Sequence, residues 1–329
     1  MTAVWRHHTG THRVGRPAYD MNLPSVLSPE SPEAQTVLEL FWVILGIAGL
    51  VFLTVASLVI ISAIRYRRRG SDDRTPPQLV GSTPLEITWT VIPLAILGVL
   101  FGLTVVSMHT IQPRAGSRQA DLKVVAHQWW WEGHYKTGVV TANEFHFPVR
   151  DTLLLRFRSG DVIHDWWVPE LGRKVDIFPN HATYLWTRIE RPGAYLGTCD
   201  EFCGPEHAWM RIRVIAHTPE DYAAWTQRQL APPPPPGTPD AREGKALFLS
   251  HTCVSCHTIA GLSSGSIGPN LSHVGGRETL GAGILENGPI EMARWVHDAQ
   301  AVKPECRMPN LQLSLAESRR LAAFLEELK

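Results

Sequence analysis

The chain has no excess charge of either sign: 31 Lys and Arg balance 31 Asp and Glu over 329 residues. The overall field that draws a protein to nucleic acid is missing, and no nucleic-acid partner is expected. Charged residues are scarce at 19%, against 44% hydrophobic, which excludes disorder throughout. Five cysteines are too few for a disulfide scaffold of this size. No internal repeat is found, so a solenoid is excluded. The mean hydropathy of −0.07 resembles that of a soluble protein, but the average hides strong segregation along the chain.

Charge is absent altogether from Leu40 to Ile64, 25 residues, and again from Ile87 to Met108. A helix needs about 20 apolar residues to cross a bilayer core of about 30 Å, so each run predicts a span. Pro93, Gly98 and Gly102 inside the second run are tolerated in membrane helices. The loop between the runs holds Arg65, Arg67, Arg68, Arg69 and Arg74 against Asp72 and Asp73. The positive-inside rule places it in the cytoplasm, with the tail and everything after residue 109 on the other side. Arg6, Arg13 and Arg16 in the tail pull mildly the other way but lie farther from the first span. Glu86, at the mouth of the second span, is either an interfacial residue or a proton-handling group.

Beyond the spans, LKVVAHQWWW, TLLLRFR, DVIHDWWV, TYLWTRI and MRIRVI are short apolar or alternating runs separated by Pro, Gly and Asn, the pattern of a β-sandwich or barrel. Ala231–Gly237, with five consecutive prolines, predicts a polyproline II spacer holding two units about 20 Å apart. The last 90 or so residues read as a small helical domain. Thr238-Pro239 opens a helix, Ile290–Ala299 forms another, and Ser314 with Glu317 makes a capping box ahead of an apolar face at Leu321, Phe324, Leu325 and Leu328.

Cys253-Val254-Ser255-Cys256-His257 is C-x-x-C-H, in which two thiols attach haem covalently and the adjacent imidazole ligates iron. A redox dithiol would want a βαβ context, and zinc a second Cys/His pair nearby. Met308, in a loop between Pro304 and Pro309, is the expected sixth ligand. Met292, His297 and His273 are the alternatives. Gly268-Pro269-Asn270-Leu271 either brings the Pro269 carbonyl to His257 Nδ1 or is a simple turn. Cys306 is given no role.

Soft donors also concentrate in Cys199-Asp200-Glu201-Phe202-Cys203-Gly204-Pro205-Glu206-His207-Ala208-Trp209-Met210, with His164 upstream. Thiolate and thioether favour copper over hard cations. A mononuclear blue-copper site uses two His, one Cys and a weak Met, which leaves one thiolate over. Two thiolates bridging two coppers, each with one His, use every ligand; Met210 caps one copper, and a backbone carbonyl, that of Glu201, fills the other position. A Cys199–Cys203 disulfide would leave His207 and Met210 unexplained, and a copper-delivery protein needs neither the Met nor the haem domain.

With these motifs in hand, residues from about 35 to 225 resemble subunit II of the haem-copper cytochrome c oxidases, and residues from about 238 to 329 resemble a class I cytochrome c. The fusion is similar to that of the caa-type bacterial oxidases. The resemblance implies a multidomain fold: an extracytoplasmic tail (1–35), a two-helix transmembrane hairpin (36–109), a cupredoxin-like β-sandwich or barrel (110–230), the polyproline linker (231–237) and an all-α class I cytochrome c domain (238–329). It implies that His164, Cys199, Cys203, His207 and Met210 hold binuclear copper, CuA. Glu201 would lend its carbonyl to copper and its carboxylate to a Mg or Mn ion shared with subunit I. It also implies one covalent haem c on Cys253, Cys256 and His257, an electron-entry role for Trp129 in His127-Gln128-Trp129-Trp130-Trp131, and a proton-uptake entrance at Glu86 in Pro84-Leu85-Glu86-Ile87-Thr88-Trp89.

The implied function is terminal oxidase subunit II in a proton-translocating oxidoreductase of the respiratory chain. Electrons enter at haem c and pass through CuA to subunit I for O₂ reduction. The implied partners are subunit I with haem a and CuB, subunit III, a cytochrome c or bc complex as donor, and membrane lipid. The implied place is the bacterial inner membrane, two-pass, with both redox domains periplasmic. Three features depart from the family pattern: no Cys lies near the N-terminus for a lipid-modified leader, Gly133-His134-Tyr135 is unusual after the tryptophans, which would alter the electron-entry surface, and Cys306 falls beside the axial Met, where no thiol is expected. Rival readings are a nitric or nitrous oxide reductase with the same copper module, which should reduce its own substrate without O₂ uptake, and a metallochaperone or redox sensor with exchangeable copper and no subunit I.

Overall fold

The computed structural model describes residues 24–67, 81–112 and 118–329. Most of the tail and most of the basic loop, including Arg68, Arg69, Asp72, Asp73 and Arg74, lie outside the described residues. Two long helices come first, α1 (Pro32–Arg65) and α2 (Thr83–Ile111). At 1.5 Å per residue they are about 50 and 44 Å long, more than a bilayer core needs. Their side chains are almost wholly exposed, including Phe52, Leu94 and Phe101, so nothing among the described residues buries them. Ser31 caps α1 by accepting from the Ala34 amide, and its hydroxyl donates to the Leu171 carbonyl of the β-domain at 2.8 Å. An ion pair of Glu30 with Arg191 fastens the same corner. Membrane helix and β-domain are thus joined at a fixed point.

The β-domain has ten strands: β1 (Leu122–His127), β2 (Trp130–Tyr135), β3 (Val140–Ala142), β4 (Glu144–Pro148), β5 (Leu153–Ser159), β6 (His164–Trp167), β7 (Val175–Ile177), β8 (Thr183–Thr187), β9 (Gly193–Cys199) and β10 (Arg211–His217). They form two five-stranded sheets, in the orders β3-β2-β1-β5-β8 and β4-β10-β9-β6-β7. Pairing is antiparallel except for β1 with β5 and β4 with β10. Alternate residues of both sheets face inward, and the aromatic rings carry the core. Trp166 meets Phe145, Trp131 and Phe157 at centroid distances of 4.9, 5.5 and 5.4 Å. Gly133 is required beneath that cluster, because a Cβ there would lie 2.8 Å from the Phe145 ring. The unusual Gly133-His134-Tyr135 run therefore belongs to β2 and its packing, with the Tyr135 hydroxyl accepting from the His146 amide.

Helix α3 (Pro219–Leu230) follows, laying Trp225 on His146 at 4.2 Å. The proline segment leads to α4 (Pro239–Ser250), capped by Thr238, then the single turn α5 (Cys253–Cys256), α6 (Pro289–His297), α7 (Ala299–Val302) and α8 (Leu315–Glu326). The helix expected over Ile290–Ala299 breaks at Asp298, whose side chain caps α7 by accepting from the Gln300 and Ala301 amides. Helices α4 and α8 cross so closely that a Cβ on Gly244 would lie 2.0 Å from the Arg320 carbonyl, and Phe248 and Phe324 pack across the crossing.

The expected 20 Å separation of the two units is not what the fold shows. The helical domain lies directly on the β-domain. Glu144 of β4 accepts from the amides of Glu278 and Thr279 and from the Thr279 hydroxyl at 2.7–3.0 Å, Arg213 pairs with Glu278 at 2.7 Å, and the Arg211 amide donates to Ala282. Polyproline rise fixes the distance between the ends of the segment, not between the surfaces it joins. Its far end is itself held, with the Gly237 amide donating to Glu327 at 2.7 Å.

Candidate metal centre and haem cleft

The soft-donor loop is an excursion between β9 and β10. Cys199 ends β9, Met210 precedes β10, and the Cys199 amide donates to the Met210 carbonyl at 2.9 Å to close it. Strand β6 pairs with β9, placing Trp166 opposite Cys199 and delivering His164 to the loop. The result is a compact, buried cluster. The Cys199 and Cys203 sulfurs lie 3.8 Å apart. His164 Nδ1 is 3.8 Å from the Cys199 sulfur, His207 Nδ1 is 3.6 Å from that of Cys203, and Met210 Sδ is 3.9 Å from Cys203. The Glu201 carbonyl lies 3.3 Å from Cys199 Sγ. The thiols are not disulfide-bonded, since that bond is about 2.05 Å long. Two sulfurs at this spacing can share an ion at metal–sulfur bonds of about 2.3 Å. Each imidazole attends a different sulfur, so the donor set has the two-fold character that a pair of soft ions needs. Glu201's side chain is exposed.

Hydrogen bonds prepare these donors. Asp161 accepts from His164 Nε2 at 2.8 Å, which turns Nδ1 toward the sulfurs. Asp161 also accepts from the Gln128 amide at 2.7 Å. Burial alone would raise the Asp161 pKa, but these bonds outweigh it and hold the carboxyl at about 2. Burial works against charge on His164, and its bonds to Asp161 and Cys199 reverse that and raise its pKa. The hydrogen bond between the two sulfurs pulls Cys199 down to about 4 and, with burial, pushes Cys203 up. Of the two, Cys199 is the thiol more readily deprotonated, the form a metal requires.

In the helical domain, Cys253 and Cys256 sit on α5 at the lip of an apolar cleft. Met308, Met292, Trp295 and Leu321 are among its walls. His257 Nδ1 lies 2.8 Å from the Pro269 carbonyl, which leaves Nε2 free for iron. Burial lowers the His257 pKa, favouring the neutral imidazole a metal requires. Gly268 lies under that ring, where a Cβ would be 2.6 Å from it. An apolar slot with two thiols and an oriented imidazole fits covalent haem. Met308 and Met292 both line it, whereas His273 and His297 do not. His273 instead faces the backbone of Lys329, Gln229 and Ala231.

Trp131 is fully buried core, Trp130 stacks on His127 at 4.4 Å and lines the haem cleft, and Trp129 belongs to both sites. Trp129 lines the cleft, and its Nε1 donates to the Cys203 carbonyl at 3.0 Å. Glu86 stands far from all of this, exposed in the first turn of α2. Several residues at the junction escaped the sequence reading: Gln128, which also donates to the Cys203 carbonyl, Arg307, which donates to Gln128, and Lys303. Asp161, three residues before His164, was open to inference from spacing. Arg307 and Lys303 were not, because their partners come from the other domain, and Gln128 was not, because the Cys203 carbonyl it meets lies 75 residues away.

A β-sandwich bearing a thiolate–imidazole–thioether cluster, anchored by two apolar helices and joined to a C-x-x-C-H helical domain, defines a membrane-anchored redox protein. Family comparison narrows this class. Residues 19–109 match the transmembrane domain of cytochrome c oxidase subunit II, residues 132–217 its periplasmic domain, and residues 241–329 cytochrome c. Cytochrome c oxidase subunit 2 of Alkalihalophilus pseudofirmus is 32% identical over 312 residues, covering 93% of this chain and 91% of that protein. The subunit 2 of Bacillus sp. strain PS3 is 31% identical over 284 residues, 80% of this chain and 79% of that protein. The solved periplasmic domain of subunit II from Bradyrhizobium japonicum is 25% identical with a TM-score of 0.33, over 35% of this chain and 96% of that one. The chain belongs to the cytochrome c oxidase subunit 2 family, in the form that carries a fused cytochrome c domain. It is therefore a two-pass membrane protein with a periplasmic domain, the electron-transfer component of an oxidoreductase complex that works with subunit I.

Proposed function

We propose that this chain accepts electrons at a haem c held by Cys253, Cys256, His257 and Met308 and delivers them, through binuclear CuA held by His164, Cys199, Cys203, His207, Met210 and the Glu201 carbonyl, to subunit I for O₂ reduction coupled to proton translocation. Bound there, haem and copper supply two one-electron stations between an outside donor, a cytochrome c or bc complex, and the oxidase core. The chain's own residues do the rest. Asp161 and Pro269 orient the imidazoles, and the buried Cys199–Cys203 pair spreads a change of charge over two sulfurs, which lowers reorganisation. Trp129 closes the gap between the sites, and its bond to the Cys203 carbonyl while lining the haem cleft is the observation that carries this reading. The Glu201 carboxylate is proposed to meet a Mg or Mn ion completed by subunit I, Glu86 to stand at a proton-uptake entrance, and subunit III to complete the assembly in the bacterial inner membrane. The domain limits 36–109, 110–230 and 238–329 are proposed with it.

The direct test is a metal and haem count on the purified chain. Two coppers and one covalent haem are expected; a single copper, or none in protein with a full complement of haem, rejects the binuclear assignment. Assay of the purified complex should show O₂ uptake. Reduction of NO without O₂ uptake would move the chain to a different reductase.

A further inference from the structure

Lys303 is a charged residue at the centre of the contact between the two redox domains. It is 2% exposed and caps the C-terminal end of α7, the helical turn that leads into the Met308 loop. Its ammonium donates to the carbonyls of Trp129 at 3.0 Å and Trp209 at 2.9 Å, both in the β-domain, and approaches that of Gly281 at 3.4 Å. An ammonium has three donors and no acceptor, so three carbonyls satisfy it completely. A buried charge is costly unless it is so met, and removing one side leaves the carbonyls unpaired. Burial pulls the Lys303 pKa down to about 8, which leaves it charged at neutral pH.

The two β-domain carbonyls are not arbitrary. Trp129 is the residue whose ring bonds the Cys203 carbonyl. Trp209 lies between His207 and Met210, in the short turn of the soft-donor loop. Lys303 therefore grips the backbone on both sides of the path from the haem cleft to the sulfur cluster. The Met308 loop is held separately by Gln300, which donates to the Cys306 and Met308 carbonyls at 2.5 and 2.7 Å and accepts from the Glu305 amide. The loop can keep its shape when Lys303 is changed.

We propose that Lys303 is a positioning residue for electron transfer between the domains, pinning the Trp129 and Trp209 backbone against the haem domain so that the distance between the two redox sites stays fixed. This rests on the functional reading above. It differs from the other bonds across the contact, such as those of Glu144, because its bonds go to the backbone of Trp129 and Trp209, beside the sulfur cluster.

The test uses the full chain in the assembled complex, with Lys303→Met. After flash reduction of haem c, its oxidation by copper should slow at least ten-fold while the haem and copper spectra stay unchanged. Hydrogen exchange gives a readout independent of turnover. The Thr279 and Arg211 amides, which donate across the contact, should exchange at least ten-fold faster, and core amides such as that of Phe157 should not change. Wild-type rates for both transfer and exchange would overturn the proposal. If the wild type itself passes no electron from haem to copper, the functional reading fails, and exchange alone then judges the pin. Should Lys303→Met not accumulate, amine labelling of the wild type decides: Lys303 should react at least ten-fold more slowly than the exposed Lys123, and equal labelling overturns the proposal.

Discussion

The haem cleft offers two methionines, and their surroundings assign them different work. Met292 lies inside α6 at 1% exposure, packed with the hydrophobic core of its domain. Met308 lies in an irregular loop that Gln300 fastens, with its carbonyl bonded and its thioether at the cleft wall. A ligand thioether raises haem potential and keeps iron low-spin. Met308→Leu should leave the covalent haem attached, lower its potential and remove the low-spin signature. Met292→Leu should keep both, at a stability cost under about 1.5 kcal/mol for a volume-conserving change. Redox titration and absorption spectra of the two variants check this, and the reverse pattern would exchange their roles. The sequence already favoured Met308 because flanking prolines prevent a helix there. It could not show that His273 turns away toward the linker backbone. Motifs that chelate within one loop, such as 199–210, are legible because chain connectivity alone brings the donors together. His164 is 35 residues away and was found by chemistry, while the register that delivers it comes from strand pairing.

At the level of elements, the apolar runs forecast the longer strands well, and the caps forecast the helix starts at Thr238 and Ser314. What stayed hidden was α3 and the polar seam beneath it. His146 of β4 and His217 of β10 lie with parallel rings and share a hydrogen bond between ring nitrogens at 2.7 Å, and Trp225 of α3 covers His146. Neither histidine stood out in sequence because the pair forms only when parallel strands align. Burial, with the neighbouring His217, Arg228 and Arg277 charges, lowers the His146 pKa to about 3 from an ordinary 6.5. His217 is lowered as well, again chiefly by burial. The unfolded chain therefore takes up protons below about pH 6.5 that the folded domain refuses until about pH 3, so stability is full above the upper value and falls as pH falls through that window. Glu132, held at about 2 because bonds to His127 and His134 outweigh its burial, adds a loss in the same direction below its ordinary 4.5. Denaturant unfolding of the β-domain at pH 7.5 and pH 5 should show a loss of a few kcal/mol at the lower pH. His146→Gln should flatten that dependence; an unchanged slope in the variant would show that the seam does not supply it.

For the whole molecule, the question is whether the cytochrome domain works as a tethered floater or as a docked part. A tether acts by effective concentration, which depends on linker length and stiffness. Docking acts through the contact itself, and linker composition then matters little. The polyproline run suggests the first reading, and the fold favours the second. Glu144 enters the helical domain at 1% exposure to meet two amides and a hydroxyl, and Lys303 crosses the other way. Both ends of the linker are held, by α3 on one side and by Glu327 on the other. A flexible Gly/Ser segment of seven residues has a mean span of about 15 Å, against about 20 Å for polyproline, so such a segment can still bridge the same ends when stretched. Replacing Pro232–Pro236 with Gly and Ser should thus change the rate of haem-to-copper transfer by less than about two-fold, because the domains stay seated without a rigid strut. Glu144→Ala, with the prolines intact, should slow it several-fold, since two amides and a hydroxyl at the contact lose their acceptor. Flash-reduction kinetics on the two variants separate the models. A large slowing in the linker variant with none in Glu144→Ala would mean that the prolines, and not the buried contacts, bring the two redox sites together.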